Sequence, residues 1–540
     1  MRAALIAVLL CAWPRALALG GLGRATGVLT SAAGARFAPL GSLPPWAPLA
    51  AGGLRVNFSY ARQEIAGFGS ALTEAAAFNV AALSSARRAQ LVDMLWAPPP
   101  AGNGYALGRL HLGSSDFALS TYSLDDVPND FNLSSFDSAL THDSRFVLPL
   151  ARSALAASEN ALKLFFSPWS PPAWMKQIGS MIDSTHPDGL IQTPAVWAAL
   201  AQYFVKFVKA AAAAGVPFWG CTLQNEPLID MTGKPHHYEA CAYTAASQAA
   251  FLRDYLGPAV RADTVTRSLK LLAYDWNKAG LAAWAATIAA AGGGYSDGLA
   301  MHWYSWATSL FLDQLQNVSS SPSPPFMLAT EACLIKAGVA HGGGDGHGTL
   351  VGAGAPPGNN SVRYTYASGE LYALDLLGDI KFGASGWVDW NAVLDYTGGP
   401  NHINRTDIGA PILVDPPTDS FYVQSPYYYV GHVSRFAPPG SLHIACSGRE
   451  FATTPQMFDA VKDYIKPQIS GGAPPAGSAP LVAACFASAD LATGVVVVMN
   501  ANEAAATTSI AVEPRAGDAG GTLPLSLPPH SIATLSFALG

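Results

Sequence analysis

Two glutamates stand where carboxylates can do chemistry. Glu226 closes the run Thr222-Leu223-Gln224-Asn225-Glu226, and Glu331 closes Leu328-Ala329-Thr330-Glu331. Each ends an apolar, strand-like segment, where an ionised group is costly unless it is paired or has a task. Strands often end in polar residues, so either glutamate alone says little; two facing each other across one mouth say more. Paired carboxylates are the equipment of glycoside hydrolysis: one, protonated, releases the leaving oxygen, and the other, ionised, attacks or activates water. Their proximity drives the two titrations apart, because neighbouring like charges disfavour double ionisation. Three other run ends are aromatic: Ser167-Pro168-Trp169, His302-Trp303-Tyr304 and Asp389-Trp390-Asn391. Aromatic faces stack on the C–H faces of sugar rings, while Asn, His and Asp bond hydroxyls.

The elements that must position these groups are apolar runs at 65–69, 105–111, 162–166, 218–223, 269–275, 299–304, 326–330 and 384–390. Continuous rather than alternating apolar character is that of parallel strands buried on both faces. The gaps are long enough for crossover helices. One helix is well marked: Thr193 can cap it, Pro194 suits its first position and Gly215 follows its end. Between them Val196, Leu200, Phe204, Phe207, Val208 and Ala211 keep a 3–4 spacing and define one apolar face. Eight such strands predict an α/β fold, a (β/α)8 TIM barrel, with reactive groups at the C-terminal strand ends. An open doubly wound sheet competes, but no G-x-G-x-x-G follows a first strand. Gly294-Tyr295-Ser296-Asp297-Gly298 matches the G-x-S-x-G of serine hydrolases. A nucleophile elbow needs a strand before the serine and a helix after it, and here that order is reversed.

After about residue 436 the pattern changes to short strands, at 495–499, 508–512 and 531–539, between Gly/Pro-rich turns. These predict an accessory β-sandwich, to which 55–60 adds a strand. The expected division is therefore a leader over 1–18, an N-terminal segment over 19–64, a barrel over 65–435 and a sandwich over 436–540. The stretch 338–360, rich in Gly, Ala and Pro, reads as a loop after the seventh strand. Arg2 before an apolar run, then Ala16-Leu17-Ala18, has the form of a secretory signal with a small-residue cleavage site. Five Asn-x-Ser/Thr sequons, at Asn57, Asn132, Asn317, Asn359 and Asn404, agree with that route.

Composition narrows the partners. The chain of 540 residues is 50% hydrophobic and 12% charged, with 30 Lys and Arg against 37 Asp and Glu and a formal charge of -7. That much apolar surface excludes disorder. An acidic balance without basic runs argues against nucleic acid. Beyond Cys11 in the leader, five cysteines remain and no C-x-x-C occurs, so neither a disulfide scaffold nor a zinc site is written here. No metal or other cofactor is expected.

These motifs, taken together, resemble glycoside hydrolase family 30, especially its glucosylceramide-cleaving members. The segments are Gly67-Phe68-Gly69-Ser70-Ala71-Leu72-Thr73-Glu74, Ser167-Pro168-Trp169-Ser170-Pro171-Pro172, Asn225-Glu226-Pro227, His302-Trp303-Tyr304, Glu331-Ala332-Cys333, Gly386-Trp387-Val388-Asp389-Trp390-Asn391 and Gly398-Gly399-Pro400-Asn401. They stand in the family's order. The resemblance implies a retaining β-glucosidase acting on glucosylceramide, with Glu226 as acid/base and Glu331 as nucleophile. It implies that Asn225 bonds the 2-hydroxyl, that Trp169, Tyr304 and Trp390 line the glucose subsite, and that Arg109 and His302 form a polar network beneath. Glu74 takes a hydroxyl-binding position at which the family pattern has Asp. Also implied are a lysosomal, vacuolar or extracellular location, an anionic membrane surface as the docking partner, and a saposin-like activator. Retention requires carboxyl groups about 5–5.5 Å apart. Two alternatives are a secreted family-30 β-glycanase of the β-1,6-glucanase or xylanase type, and an inactive glycolipid-binding protein.

Overall fold

The computed structural model describes residues 21–185, 187–229, 237–335, 348–357, 362–515 and 520–540. The leader therefore lies outside the described residues, as do Asn359 and most of the loop read over 338–360. Eight parallel strands close a barrel: β1 (Gly67–Ala71), β2 (Leu107–Leu112), β3 (Lys163–Pro168), β4 (Phe218–Thr222), β5 (Lys270–Asn277), β6 (Gly298–His302), β7 (Phe326–Glu331) and β8 (Gly386–Asp389). Each pairs with the next in sequence, and β8 returns to β1 through Gly386↔Gly67. Leu107, Phe165, Leu272, Ala300, Leu328 and Val388 fill the interior. The other face of each strand packs against the surrounding helices, which is why the runs are apolar throughout.

Helix α1 (Pro194–Ala213) shows how a sequence signal becomes packing. The Thr193 hydroxyl accepts from the Val196 N–H, satisfying a donor of the open first turn. Gly215 has φ +81° at the end, a conformation that costs glycine nothing, and the chain turns there into β4. Phe207 on the buried face then meets Phe166 of β3 and Phe218 of β4, with ring centroids 5.0 and 5.3 Å away. The expected strand bounds shift by one or two residues. The sixth run stops at His302, because Trp303 and Tyr304 already belong to the turn that carries them over the mouth.

A second core lies inside a nine-stranded sheet that draws on both ends of the chain. In Leu54–Glu64, Leu54, Val56 and Phe58 point into that core while Arg55 and Ser59 face solvent. The strand Thr26–Ser31 lies in the N-terminal segment expected to contribute strands, though the sequence did not mark its bounds, and it pairs along its whole length with Ser531–Ala538. Also unanticipated is a helix within the C-terminal part, Pro455–Ile469. Its Asp459 accepts from Ser309 Oγ and the Leu310 N–H at 2.7 and 2.8 Å, and its Lys462 Nζ donates to the Thr308 carbonyl at 2.7 Å. The helix thereby fastens the sheet region to the loop that follows β6. The five cysteines of the described residues are buried and unbridged. No helix among the described residues is long and apolar enough to cross a membrane.

Barrel and outer helices are pinned by one buried ion cluster. Lys278, just past β5, reaches Asp375 and Asp379 of α2 (Tyr366–Lys381) at 2.5 and 2.6 Å, and Trp387 Nε1 of β8 donates to Asp375 at 3.0 Å. Removing the cation strands two buried carboxylates. Lys278→Met is expected to destabilise the fold by about 3–5 kcal/mol, seen as a lower midpoint in guanidinium chloride unfolding. An unchanged midpoint would mean that the cluster contributes nothing.

Candidate active site

Local backbone distortions aim the acids. Glu226 has φ +47°, unusual for a residue with a side chain, and its N–H is held by the Asp275 carbonyl at 2.9 Å. Asp275 itself has φ +63°, where the register of β5 against β6 shifts by one residue. A second register shift, between Ala329 and Glu331, lies where β7 pairs with β6. Bulges of this kind re-aim a side chain at the rim of a barrel. All three carboxylates thus come from strand ends where regular alternation is broken.

The centre they surround is Arg109, on β2, with no exposed surface. One guanidinium nitrogen donates to Glu331 and the other to Asn225 Oδ1 at 2.9 Å and Asp275 Oδ2 at 2.8 Å, while Nε donates to Ser167 Oγ at 3.0 Å. Asp275 also accepts from the hydroxyls of Thr222 and Thr330, both at 2.6 Å. Burial opposes its charge, but Arg109, His302 and the Thr222 hydroxyl win and hold the carboxyl well below the usual range. His302 spans Asp275 at 3.0 Å through Nε2 and Glu226 at 3.3 Å through Nδ1. Burial disfavours its cation, yet Glu331, Asp275 and Glu226 push it up to about 9.

The two glutamates have different company. Glu331 holds the Arg109 contact and accepts from the Tyr304 hydroxyl at 2.6 Å. Among the described residues, Glu226 has only the longer contacts to His302 and, at 3.4 Å, to the Tyr238 hydroxyl. A carboxylate oxygen from each and a ring nitrogen of His302 lie within 4.8 Å of one another. Such a trio has the ligand types of a metal site. His302, however, directs both ring nitrogens at carboxylates and is a cation at neutral pH, so neither nitrogen offers a lone pair.

Above the acids opens a cavity of about 300 Å³, walled by Trp169, Asn225, Glu226, Tyr304, Glu331 and Trp390 together with Asp116, Tyr238 and Arg405. The indoles of Trp169 and Trp390 stack with centroids 4.9 Å apart, and the Arg109 guanidinium lies 4.8 Å from the first ring and 5.5 Å from the second. Of the residues expected at the site, six line this cavity, and Arg109 and His302 are wholly buried behind them. Glu74 is not brought there. It begins the helix Glu74–Ala82, and its carboxylate accepts from the Leu119 N–H at 2.9 Å and meets His142 Nε2 at 2.7 Å. Both oxygens are thereby occupied away from the cavity wall. Sequence reasoning missed Asp116, Asp275, Tyr238 and Arg405. Asp275 ends the fifth apolar run and Asp116 stands four residues past β2, the same signal that marked the glutamates. Tyr238 and Arg405 lie on loops and carry no such signal.

A closed parallel barrel whose mouth presents two carboxylates beside stacked indoles is the framework of a glycoside hydrolase. The chain belongs to family 30 of these enzymes: residues 65–437 match the Glycosyl hydrolase family 30 TIM-barrel domain. It is 32% identical over 397 residues to the lysosomal acid glucosylceramidase of Mus musculus, covering 72% of this chain and 71% of that one. It is 27% identical over 395 residues to the endo-1,6-beta-D-glucanase of Neurospora crassa, covering 72% and 73%. In fold it resembles SrfJ from Salmonella typhimurium, with a TM-score of 0.76 at 23% identity over 96% of this chain and 100% of that one.

The state of His302 gives a pH signature. Its value of about 9 lies above the ordinary 6.5, so its contribution to stability is complete below pH 6.5 and is lost as pH rises through 9. His530, held near 9 by Glu370, titrates in the same window. The measure is therefore the difference between two proteins. The thermal midpoint of the wild type is expected to fall between pH 6.5 and 9 more steeply than that of His302→Gln, and equal slopes would refute the assignment.

Proposed function

We propose that this glycosidase is a retaining β-glucosidase that hydrolyses glucosylceramide to glucose and ceramide. The observation that carries the mechanism is the separation within 4.8 Å of carboxylate oxygens on Glu226 and Glu331. Retaining enzymes place the two groups about 5–5.5 Å apart, whereas inverting ones leave about 6.5–9.5 Å for a water. Glu331 is the nucleophile, since a guanidinium and a phenol hydroxyl both support negative charge on it. Glu226, with weaker partners, is the acid/base. In the first step Glu331 attacks the anomeric carbon as Glu226 passes its proton to the departing ceramide oxygen. In the second, Glu226 takes a proton from water, whose oxygen displaces Glu331 and releases glucose. Asn225 Oδ1 is already filled by Arg109, so its amide N–H groups face the sugar and donate to the 2-hydroxyl. Trp169, Trp390 and Tyr304 supply the ring contacts, and Asp116 accepts from a further hydroxyl.

Support for the lipid glycoside comes from the identity to a glucosylceramidase and from the surface around the mouth. Val127 and Phe131 after β2, Ile178 after β3 and Ile335 after β7 are all exposed large apolar residues on loops at the site's end of the barrel. Such residues suit docking on an anionic membrane, with a saposin-like activator as a further partner. The same reading places the protein on the secretory route to a lysosome or vacuole, or outside the cell. Asn132, Asn317 and Asn404 are exposed and open to glycosylation. A second reading, a secreted β-1,6-glucanase, is favoured by the Neurospora crassa relative.

The deciding assay is hydrolysis at acid pH of glucosylceramide in anionic vesicles, beside β-1,6-glucan and xylan. Release of ceramide with negligible glucan cleavage is expected, and the reverse selects the second reading. Proton NMR of the first-formed sugar is expected to show the β-anomer. Glu331→Gln should lose at least about four orders of magnitude in kcat. Glu226→Gln should recover with azide on activated aryl glucosides, giving the β-glucosyl azide. Covalent capture of Glu331 by a cyclitol epoxide separates either enzyme from an inactive binding protein.

A further inference from the structure

One wall of the cavity carries a cation that the chemistry described above does not use. Arg405 lines the cavity together with Asp116. Its backbone is clamped by Asn401, which accepts from the Arg405 N–H at 2.7 Å and donates to the Arg405 carbonyl at 2.8 Å. Its Nε donates to Asp407 at 2.7 Å, which fixes the plane of the guanidinium. The same loop is stapled to the segment that bears Asp116: the backbone N–H of His402 reaches the Ala118 carbonyl at 2.9 Å, and its ring at 3.0 Å. What remains unfilled is informative. Neither Nη of Arg405 has a hydrogen-bond partner among the described residues, and the buried Asp116 Oδ1 has none either. The two groups are not in ion-pair contact, although each feels the other's charge.

We propose that Arg405 is a specificity-determining residue, donating to one hydroxyl of the bound sugar while Asp116 accepts from its neighbour. This rests on the reading of the cavity as a β-glycoside site. A half-buried guanidinium, its plane fixed by Asp407, beside a buried carboxyl oxygen with no partner matches two adjacent hydroxyls, each of which gives one hydrogen bond and takes another. It also explains why the cation is worth keeping in a small cavity. Burial, against the pull of Arg405 and with the help of Glu331, Glu226 and Glu239, pushes the Asp116 carboxyl well above the usual carboxylate range. With those carboxylates in place, the wall suits a neutral hydroxylated ring and not an anionic sugar.

The test compares kcat/KM on aryl β-glycosides that differ at one position: glucoside, galactoside (the C4 epimer), xyloside (no hydroxymethyl) and glucuronide. Wild type is expected to prefer the glucoside and to reject the glucuronide. Arg405→Gln should lose roughly 10–100-fold on the glucoside, mostly in KM, and much less on the analogue that lacks or inverts the hydroxyl read, so that discrimination collapses. Arg405→Lys should recover part of it. If Arg405→Gln does not fold, inhibition of wild type by monodeoxy glucosides gives the same answer: two adjacent deletions should each weaken binding at least about tenfold. Equal losses on every glycoside, equal binding of all deoxy sugars, or a preference for the glucuronide would overturn the proposal while leaving the glycosidase reading intact. A wild type that cleaves none of the four would overturn that reading instead, and this one with it.

Discussion

A guanidinium with no access to water has to be neutralised where it stands, and Arg109 sets that condition at the centre of the barrel. Its planar fork reaches Glu331, Asn225, Asp275 and Ser167, which come from four different strands or their ends. Asp275 in turn binds Thr222, Thr330 and His302. One cation therefore fixes the positions of groups that are far apart in sequence, in an interior where an unpaired charge is severely penalised. The acids are held by their pairing, and the pairing is possible only because the barrel closes. Fold and site are one electrostatic problem with a single solution.

That dependence explains which parts were legible. The eight runs could be read because burial on both faces leaves a signature in every residue of a strand. The glutamates could be read because an acid closing such a run stands out in a chain with few charges. Glu74 stood out for the same reason. It follows β1 much as Glu226 follows β4, but its fate is decided by Leu119 and His142, 45 and 68 residues away. Asp116 and Arg405 are brought to one wall by the tertiary staple at Ala118, 284 residues from His402. No local pattern encodes such a pairing. The helix Pro455–Ile469 escaped notice because the Gly/Pro-rich turns around it suggested strands throughout.

The backbone irregularities at Glu226, Asp275 and Glu331 show what the site demands of its scaffold. Regular parallel strands point successive side chains to opposite faces, so the aim of each acid, on its own strand, depends on where that alternation is broken. Left-handed residues and register shifts are unfavourable in isolation. Here the buried hydrogen-bond network overdetermines them. These irregularities sit at the rim, beyond the interior layer of Leu107, Phe165, Leu272, Ala300, Leu328 and Val388.

The pairing of Thr26–Ser31 with Ser531–Ala538 has a consequence for synthesis. The sequence separation is extreme: Thr26 Oγ1 bonds the carbonyl of Ser536, 510 residues later. As the chain leaves the ribosome, the barrel strands are all available long before that partner exists. The first strand must wait, with its edge open, through most of translation, and the sheet closes only when the last strand appears. Mature architecture and order of manufacture are thus at odds.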